Sequence, residues 1–216
     1  MTATRLRDYQ VAAVDAIESA WARGVRRPSI VLPTGAGKTT VFSHIAHRYL
    51  SSDAARGRRV LVLAHRVELI DQAARRIRDV DPDLKVGTVI ADSDEADADV
   101  VVASIQTLSR ARRRERITNV GMVICDECHH ASASTYGKVF EHFSDAQFLG
   151  VTATMNRADG KALGKVWDEV SFELPVLDLI KAGYLADVRG IKVEVDDLDL
   201  SAVRTVRGDY SDGQLG

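Results

Sequence analysis

The groups best suited to chemistry lie in a glycine-rich turn after a short apolar run, within the sequence SIVLPTGAGKTT that begins at Ser29. Gly35 and Gly37 permit backbone conformations that a side chain would forbid, so successive N–H groups can point at one anion. A helical pattern follows the turn, and the start of a helix presents free N–H groups and a positive dipole end to the same anion. The pattern therefore predicts a loop that binds phosphate groups.

Two side chains would complete this loop. Lys38 supplies a positive charge for the β- and γ-phosphates of a nucleotide, and the Thr39 hydroxyl is suited to Mg²⁺. The strict motif has a further glycine where this chain has Leu32, so a glycine-rich turn with an unrelated lysine is the alternative. The residues that we expect to contact the nucleotide are Thr34, Gly35, Ala36, Gly37, Lys38, Thr39 and Thr40.

A second group of reactive side chains follows another apolar run. Asp126 and Glu127 come directly after residues 120–125, whose sequence is VGMVIC. A phosphate loop needs an acidic strand end that holds Mg²⁺ and positions water. We expect Asp126 to bind the metal, directly or through water, and Glu127 to polarise the attacking water. Two adjacent carboxylates would repel each other, and a Mg²⁺ ion opposite Thr39 would relieve that repulsion.

The same stretch, from Cys125 to His129, also fits the CxxCH pattern of c-type haem attachment, and its two cysteines suggest zinc. Haem attachment would require an export signal, and the sequence shows none. Zinc would require a second pair of ligands, and the chain has no other cysteine. Cys125 is more simply interpreted as a small apolar residue at the end of a buried strand.

The elements that must position these residues follow from the apolar periodicity. Short apolar runs alternate with helical patterns, which predicts an α/β fold with a mainly parallel sheet and helices on both faces. The predicted strands are residues 29–32, 59–64, 86–90, 99–103, 120–125, 147–151 and 188–195. The predicted helices are residues 5–23, 38–50, 66–79, 134–143 and 161–183, the last in two pieces separated near Pro175.

Polar clusters follow five of these strands. Ligands of such sheets bind at the carboxyl ends of the strands, so we expect the five clusters to share one edge. The clusters are the phosphate loop, His65 with Arg66, Ser104 to Thr107, Asp126 with Glu127, and Thr152 to Thr154.

Composition limits the possible partners. The chain has 216 residues, 45% of them hydrophobic, and a net charge of −2, so nucleic acid could bind only through a local basic face. Five arginines between Arg110 and Arg116 are such a candidate, with a solvated charge run as an equally good alternative. Apolar runs are too short to span a membrane and no apolar signal core is present, so we expect a cytoplasmic protein without membrane contact.

Arg7 and Gln10 lie at the start of the first predicted helix. A glutamine side chain donates and accepts hydrogen bonds at once, which suits the N6/N7 edge of adenine. Spacing alone favours the alternative, in which both residues belong to a solvated helix face.

The order of these motifs resembles that of the first RecA-like motor domain of superfamily 2 helicases and translocases, over residues 5–195. The segment from Phe172 to Leu185 is similar to the RadD-like and restriction-enzyme-like branch. Met155 follows the Thr-Ala-Thr motif at a position where many members of this family have proline. The matching motifs are RDYQ at Arg7 to Gln10, PTGAGKT at Pro33 to Thr39, Leu63 to Arg66, Ser104 to Leu108, DECH at Asp126 to His129, and Thr152, Ala153 and Thr154.

The resemblance implies a P-loop ATPase that binds ATP and Mg²⁺. Lys38, Asp126, Glu127 and His129 would be catalytic, with Thr39 and Asp126 on the metal and Arg7 and Gln10 on adenine. His129, Thr152, Ala153 and Thr154 would relay the nucleotide state. His65, Arg66, Ser104, Gln106 and Thr107 would contact the backbone of DNA, single-stranded or forked, with RNA as the alternative.

The resemblance also implies a second RecA-like domain, in cis or in trans, that supplies an arginine finger. Residues 1–195 would form the first domain, and residues 196–216 a tail or the start of a connection. An arginine finger contributes about 10³–10⁵ in rate in related enzymes, so we expect this chain alone to hydrolyse ATP slowly or not at all.

Two other functions are compatible with the motifs. The first is a non-catalytic nucleotide-binding module that docks a partner. The second is a kinase, which would need an acceptor pocket and an arginine-rich lid, for which residues 110–116 are the only candidate.

Overall fold

The computed structural model describes residues 5–65, 67–132, 134–154 and 166–187, together with the backbone of two short strands at 205–206 and 209–210. The chain divides into two compact units, Met1–Leu185 and Ala186–Gly216. Within the described residues, no helix combines the length and apolar character needed to cross a membrane.

The first unit is built on a sheet of seven strands, and every neighbouring pair is parallel. The order across the sheet is β3-β4-β2-β5-β6-β1-β7. This arrangement confirms the predicted α/β fold. The strands are β1 Pro28–Val31, β2 Arg59–Ala64, β3 Val86–Val89, β4 Val100–Ser104, β5 Val120–Asp126, β6 Gln147–Thr152 and β7 Glu169–Glu173.

Helices connect the strands and cover the sheet. They are α1 Asp8–Ala22, α2 Lys38–Leu50, α3 Val67–Val80, α4 Ile105–Leu108, α5 Ala111–Arg114, α6 Ser134–His142 and α7 Val176–Lys181. Short 3₁₀ turns lie at Asp53–Ala55 and Cys128–Ser132. The bounds of α2 are those expected from the sequence, because its first residue follows the phosphate-loop glycine and its apolar positions recur with helical spacing.

Two apolar layers form the core, one on each face of the sheet. Val60 and Val62 of β2 pack with α1, α2 and α3, whereas Leu61 and Leu63 pack with α4 and α6 on the opposite face. Successive residues of a strand point to opposite faces, so a strand buried on both faces must be apolar throughout. This burial explains the continuous apolar runs in the sequence.

Residues 169–173 form a strand and not the predicted helix. β7 pairs with β1 in parallel, and the Ser29 hydroxyl donates a hydrogen bond to the Glu169 carbonyl at 3.0 Å. The Asp168 carboxylate accepts bonds from the backbone N–H groups of Arg26 and Arg27, which fixes the entry of the strand. Pairing with β1 therefore overrides the helical periodicity there, whereas the second predicted piece is helical as α7.

The second unit contains β8 Thr205–Val206 and β9 Asp209–Tyr210, which pair in antiparallel fashion. The sequence interpretation had no element in this tail, so it was wrong at these four positions. The predicted strand at residues 188–195 and the motif position Met155 lie outside the described residues.

Candidate functional site

The predicted phosphate loop connects the end of β1 to the start of α2. Gly35 and Gly37 have φ angles of 84° and 79°, in the left-handed region that favours glycine. A Cβ at Gly37 would lie 2.6 Å from Gln10 Nε2, so a side chain there would also displace the Gln10 amide. Thr34 and Gly35 are exposed and Lys38 and Thr39 are half-buried, whereas Thr40 is buried in α2.

Gln10 supports the phosphate loop through a side-chain hydrogen bond. Its Nε2 donates to the Ala36 carbonyl at 3.1 Å, and its Oε1 accepts from the Arg7 backbone N–H at 3.0 Å. The Tyr9 hydroxyl donates to the same Ala36 carbonyl at 2.8 Å. Gln10 is only 5% exposed, so a solvated helix face is the wrong interpretation for this residue. Its role toward adenine stays a prediction.

Tyr9 and Tyr184 were missed as members of this region. Tyr9 lies within the RDYQ motif, so the sequence indicated its position near the nucleotide. No pattern in the sequence indicated a role for its side chain. The Arg7 guanidinium is exposed, donates to the Tyr9 hydroxyl at 3.3 Å, and lies 5.2 Å above the centre of the Tyr184 ring.

The acidic pair lies at the end of β5. Burial raises the pKa of Asp126 to about 6, and the negative charge of Glu127 acts in the same direction. The Glu127 N–H, 3.0 Å from Asp126 Oδ1, and the Lys38 ammonium both oppose this rise. The positive charge of Lys38 therefore reaches Asp126, which links the phosphate loop to the acidic strand end.

Glu127 and His129 connect this strand end to the next one. Glu127 has a φ angle of 49°, an unusual left-handed conformation for a residue with a long side chain. His129 Nδ1 lies 3.4 Å from Glu127 Oε2 and 2.8 Å from the Thr152 hydroxyl. The Thr152 hydroxyl also donates to the Thr154 carbonyl at 3.3 Å, across Ala153. The DECH and Thr-Ala-Thr motifs are thus in direct contact.

Four of the five predicted nucleic-acid residues line one cavity of about 410 Å³. The Ser104 hydroxyl donates to Gln106 Oε1 at 2.7 Å, and Gln106 Nε2 donates to the His65 carbonyl at 3.2 Å. Arg66 lies outside the described residues. The cavity is lined by His65, Ile90, Ala91, Ser104, Gln106, Thr107, Arg110 and Arg113.

A row of imidazole rings joins this cavity to the acidic pair. The ring centres of His129 and His130 are 4.0 Å apart, and those of His130 and His65 are 5.2 Å apart. His130 was missed in the sequence, although it directly follows the DECH motif. The contacts form a continuous path from Thr152 and Glu127 to His65.

The arginine run, residues 110–116, binds the acidic segment 92–99. Neither interpretation of the run, as a nucleic-acid contact or as a solvated charge run, included this pairing. Asp94 forms ion pairs with Arg113 and Arg116, the former at 2.8 Å. Arg113 also donates to the carbonyls of Ile90 and Ala91. Much of the run therefore serves to fix a loop and is unsuited to a mobile lid, whereas Arg110 lines the cavity.

Cys125 and Cys128 are both buried, and burial raises the pKa of each thiol. The Trp167 indole donates to the Cys128 carbonyl at 3.3 Å. Both cysteines belong to the apolar layer that contains α6. Their positions match the interpretation of Cys125 as a small apolar residue.

Residues 3–157 match the family model described as "Type III restriction enzyme, res subunit". IRC3 of Saccharomyces cerevisiae, named as a candidate ATP-dependent helicase, is 34% identical over 95% of this chain and 31% of that protein. The DNA 3'-5' translocase XPB2 of Sulfurisphaera tokodaii is 33% identical over 72% of this chain and 32% of its own length. The chain thus spans about a third of the length of these relatives.

Solved structures share the fold at low sequence identity. The type ISP restriction-modification enzyme LlaGI, in complex with a DNA substrate mimic, has a TM-score of 0.66 at 18% identity, over 84% of this chain and 21% of that one. The UvsW helicase of bacteriophage T4 has a TM-score of 0.62 at 21% identity, over 80% of this chain and 62% of that one. These similarities confirm the predicted RecA-like architecture.

Proposed function

Because the chain belongs to the family of the type III restriction enzyme res subunit, we propose that it is the ATP- and Mg²⁺-binding motor domain of a DNA helicase or translocase. Family membership confirms the resemblance to the restriction-enzyme-like branch of superfamily 2. The RadD-like alternative within that branch stays a prediction.

The observation that carries this proposal is the common position of the phosphate loop and the acidic pair, which follow the ends of the parallel strands β1 and β5 at one edge of the sheet. A lysine in a phosphate loop and a carboxylate at another strand end of the same sheet edge are two of the groups that phosphoryl transfer uses in P-loop enzymes. We assign Lys38 and the loop N–H groups to the phosphates of ATP. Arg7 and Gln10 would hold the adenine.

The Thr39 hydroxyl and the Asp126 carboxylate are hard oxygen ligands, which suit Mg²⁺. Burial and, after it, the negative charge of Glu127 raise the pKa of Asp126, and a cation at this position would relieve both effects. When bound, Mg²⁺ would neutralise charge on the transferred phosphoryl group. Glu127 would accept a hydrogen bond from the attacking water and so orient it toward the terminal phosphate.

His129 contacts the carboxylate that would hold this water. Its contacts with Glu127 and Thr152 make the position of Glu127 dependent on the segment Thr152 to Thr154. We therefore assign His129 and Thr152, Ala153 and Thr154 to coupling between nucleotide state and nucleic-acid contact.

His65, Arg66, Ser104, Gln106 and Thr107 are assigned to the backbone of DNA. The cavity that four of them line supports this assignment, and Arg110 adds a positive charge there. Contacts with phosphates do not read sequence, so binding should tolerate different sequences and weaken with salt. The name of XPB2 as a DNA translocase supports DNA, with RNA as the alternative.

We also propose that residues 1–195 form the first RecA-like domain, that residues 196–216 begin a connection, and that a second RecA-like domain completes the ATP site. The relatives' greater length supports this division.

Nucleotide binding by this chain is the first test. We expect the parent chain to bind ATP with Mg²⁺ and Lys38→Ala to lose at least about tenfold in affinity, because a charge-assisted contact to phosphate is removed. The exposed lysine on α6 gives the matched control Lys138→Ala, which should bind as the parent does. Equal affinity of the parent and Lys38→Ala in titration calorimetry would contradict the assignment of the phosphate loop.

Hydrolysis is the second part of the test. The chain alone should bind ATP without DNA-stimulated turnover, since the second domain would supply the arginine finger. In the intact two-domain protein, Glu127→Gln should retain ATP binding and lose about 10²-fold or more in turnover, whereas the exposed control Glu141→Gln should not. Parental turnover by Glu127→Gln would show that Glu127 does not position the water. Binding without turnover in the intact parent protein would favour the non-catalytic module.

A further inference from the structure

An aromatic residue from the end of the first unit lies against the element that we assign to the adenine. α7 ends at Lys181, and Gly183, two residues later, turns the chain with a φ angle of 74° in the left-handed region. The N–H groups of Tyr184 and Leu185 both donate to the Leu179 carbonyl, at 2.9 and 3.2 Å. Leu179 is itself buried in the core. The positions of Tyr184 and Leu185 are therefore fixed by the backbone.

Tyr184 contacts two residues of the RDYQ motif. Its ring centre is 5.0 Å from that of Tyr9, with the planes at 63°, and the Arg7 guanidinium carbon lies 5.2 Å above its centre. Tyr9 in turn holds the Ala36 carbonyl of the phosphate loop. Tyr184 is 36% exposed, so part of its ring remains accessible to solvent.

Leu185 brings the same turn to the phosphate loop itself. A Cβ at Gly35 would lie 3.1 Å from Leu185 Cδ2, which shows how closely the side chain approaches the loop. The turn after α7 thus contacts both parts of the proposed nucleotide site. The sequence did not indicate this contact, because about 150 residues lie between Gly35 and Leu185 and no local pattern connects them.

We propose that Tyr184 is a positioning residue for the purine base of the nucleotide. Its ring lies against the Arg7 guanidinium and would hold that group where it can stack on the base. An arginine side chain otherwise loses rotamer freedom when it orders on a ligand, and a preformed cation–π contact reduces that loss. This inference rests on the proposed function, since it concerns the base of the ATP bound there.

The test compares ATP with inorganic tripolyphosphate, which carries the phosphate chain without a base. Dissociation constants of both, with Mg²⁺, are measured by calorimetry for the parent chain, Tyr184→Leu and Tyr184→Phe. We expect Tyr184→Leu to bind ATP about fivefold more weakly and tripolyphosphate as the parent does. Tyr184→Phe retains the ring and should restore ATP binding. The matched control is Leu177→Ala, which alters an exposed residue of α7 and should bind both ligands normally.

A thermodynamic cycle with Arg7→Ala provides a second measurement. If Tyr184 acts through Arg7, then Tyr184→Leu should have no further effect on ATP affinity in the Arg7→Ala background. The same cycle distinguishes this role from general destabilisation, which would lower the affinity in both backgrounds.

Three outcomes would overturn the inference. Parental ATP affinity in Tyr184→Leu would show that the ring does not position the base. Equal losses for ATP and tripolyphosphate would show that Tyr184 acts on the phosphate loop instead. A parent chain that binds tripolyphosphate without preferring ATP would have no base site. If the parent bound neither ligand, the proposed function itself would fail. Failure of the proposed function is thus distinguishable from failure of the inference about Tyr184.

Discussion

Asp126 carries an electrostatic cost that depends on pH. Its pKa is 3.8 as an ordinary aspartate and about 6 in the folded chain, because burial and the neighbouring Glu127 disfavour the ionised form. Below pH 3.8 the carboxyl is protonated in both states and costs nothing. As the pH rises through 6 the folded chain must hold a buried charge, and stability contributed by the protonated group is lost.

Asp126→Asn should therefore stabilise the chain when Mg²⁺ and nucleotide are absent. The amide removes the charge and still accepts the Glu127 N–H. We expect a gain of about 1–3 kcal/mol in the free energy of unfolding above pH 7, which shrinks as the pH falls through 6 toward 4. Urea denaturation with EDTA across this range measures it. The exposed control Asp145→Asn should show no comparable pH-dependent gain, and the same profile in both variants would refute the explanation.

At the scale of elements, the hydrogen bond between His129 and Thr152 joins the 3₁₀ turn after β5 to the end of β6. His129→Ala and Thr152→Val should be non-additive in the free energy of unfolding, with a coupling of about 0.5–1.5 kcal/mol. Chemical denaturation of the two single variants and the double variant measures this coupling. His142 lines a cavity at the opposite end of the sheet, so the pair His142→Ala and Thr152→Val should be additive. Additivity in both pairs would show that the bond contributes little to stability.

Two glycines give opposite predictions for the same substitution. A Cβ at Gly150, in β6, would lie 2.9 Å from the Cys128 sulfur and from two carbons of the Trp167 ring, so Gly150→Ala should destabilise by about 1–3 kcal/mol. Gly137 lies exposed in α6, where a Cβ would meet nothing within 4 Å. Gly137→Ala should stabilise by about 0.5–1 kcal/mol, since alanine is the better helix former. Urea unfolding of both variants tests this, and equal effects would contradict it.

Local patterns were enough to predict most elements and the shared edge of polar clusters, because apolar runs and glycine positions are local features. The strand at Glu169–Glu173 was missed, because its identity depends on pairing with β1, which lies about 140 residues earlier. The burial of Gln10 and the pairing of Asp94 with Arg113 were missed for the same reason. In each case the partner is distant in sequence, and no local periodicity records it.

At the scale of the whole molecule, the strand order of the sheet explains how this site is assembled. The strands that carry the five polar clusters are β4, β2, β5, β6 and β1, and they are consecutive across the sheet. The outer strands β3 and β7 carry none of the clusters. Since all strands are parallel, the clusters form one continuous row in which the proposed DNA residues lie at one end and the phosphate loop at the other.

This row has the acidic pair in its middle, on β5. The path from His65 through His130 and His129 to Thr152 runs along the row and crosses no apolar layer. We therefore expect a change of charge at the nucleotide end to act first on these polar side chains and not on the apolar core. With a net charge of −2, attraction of the proposed DNA would depend on the local basic groups near the cavity, so binding should weaken with salt.

The left-handed backbone at Glu127 has a consequence for anyone who evolves this protein in the laboratory. Glycine adopts that conformation freely, whereas a residue with a Cβ loses roughly 1–2 kcal/mol there. A library sorted only for heat resistance would enrich glycine or asparagine at position 127 and discard the carboxylate that we assign to water. Thermostable winners would then be inactive, so such a selection would need a turnover screen in every round.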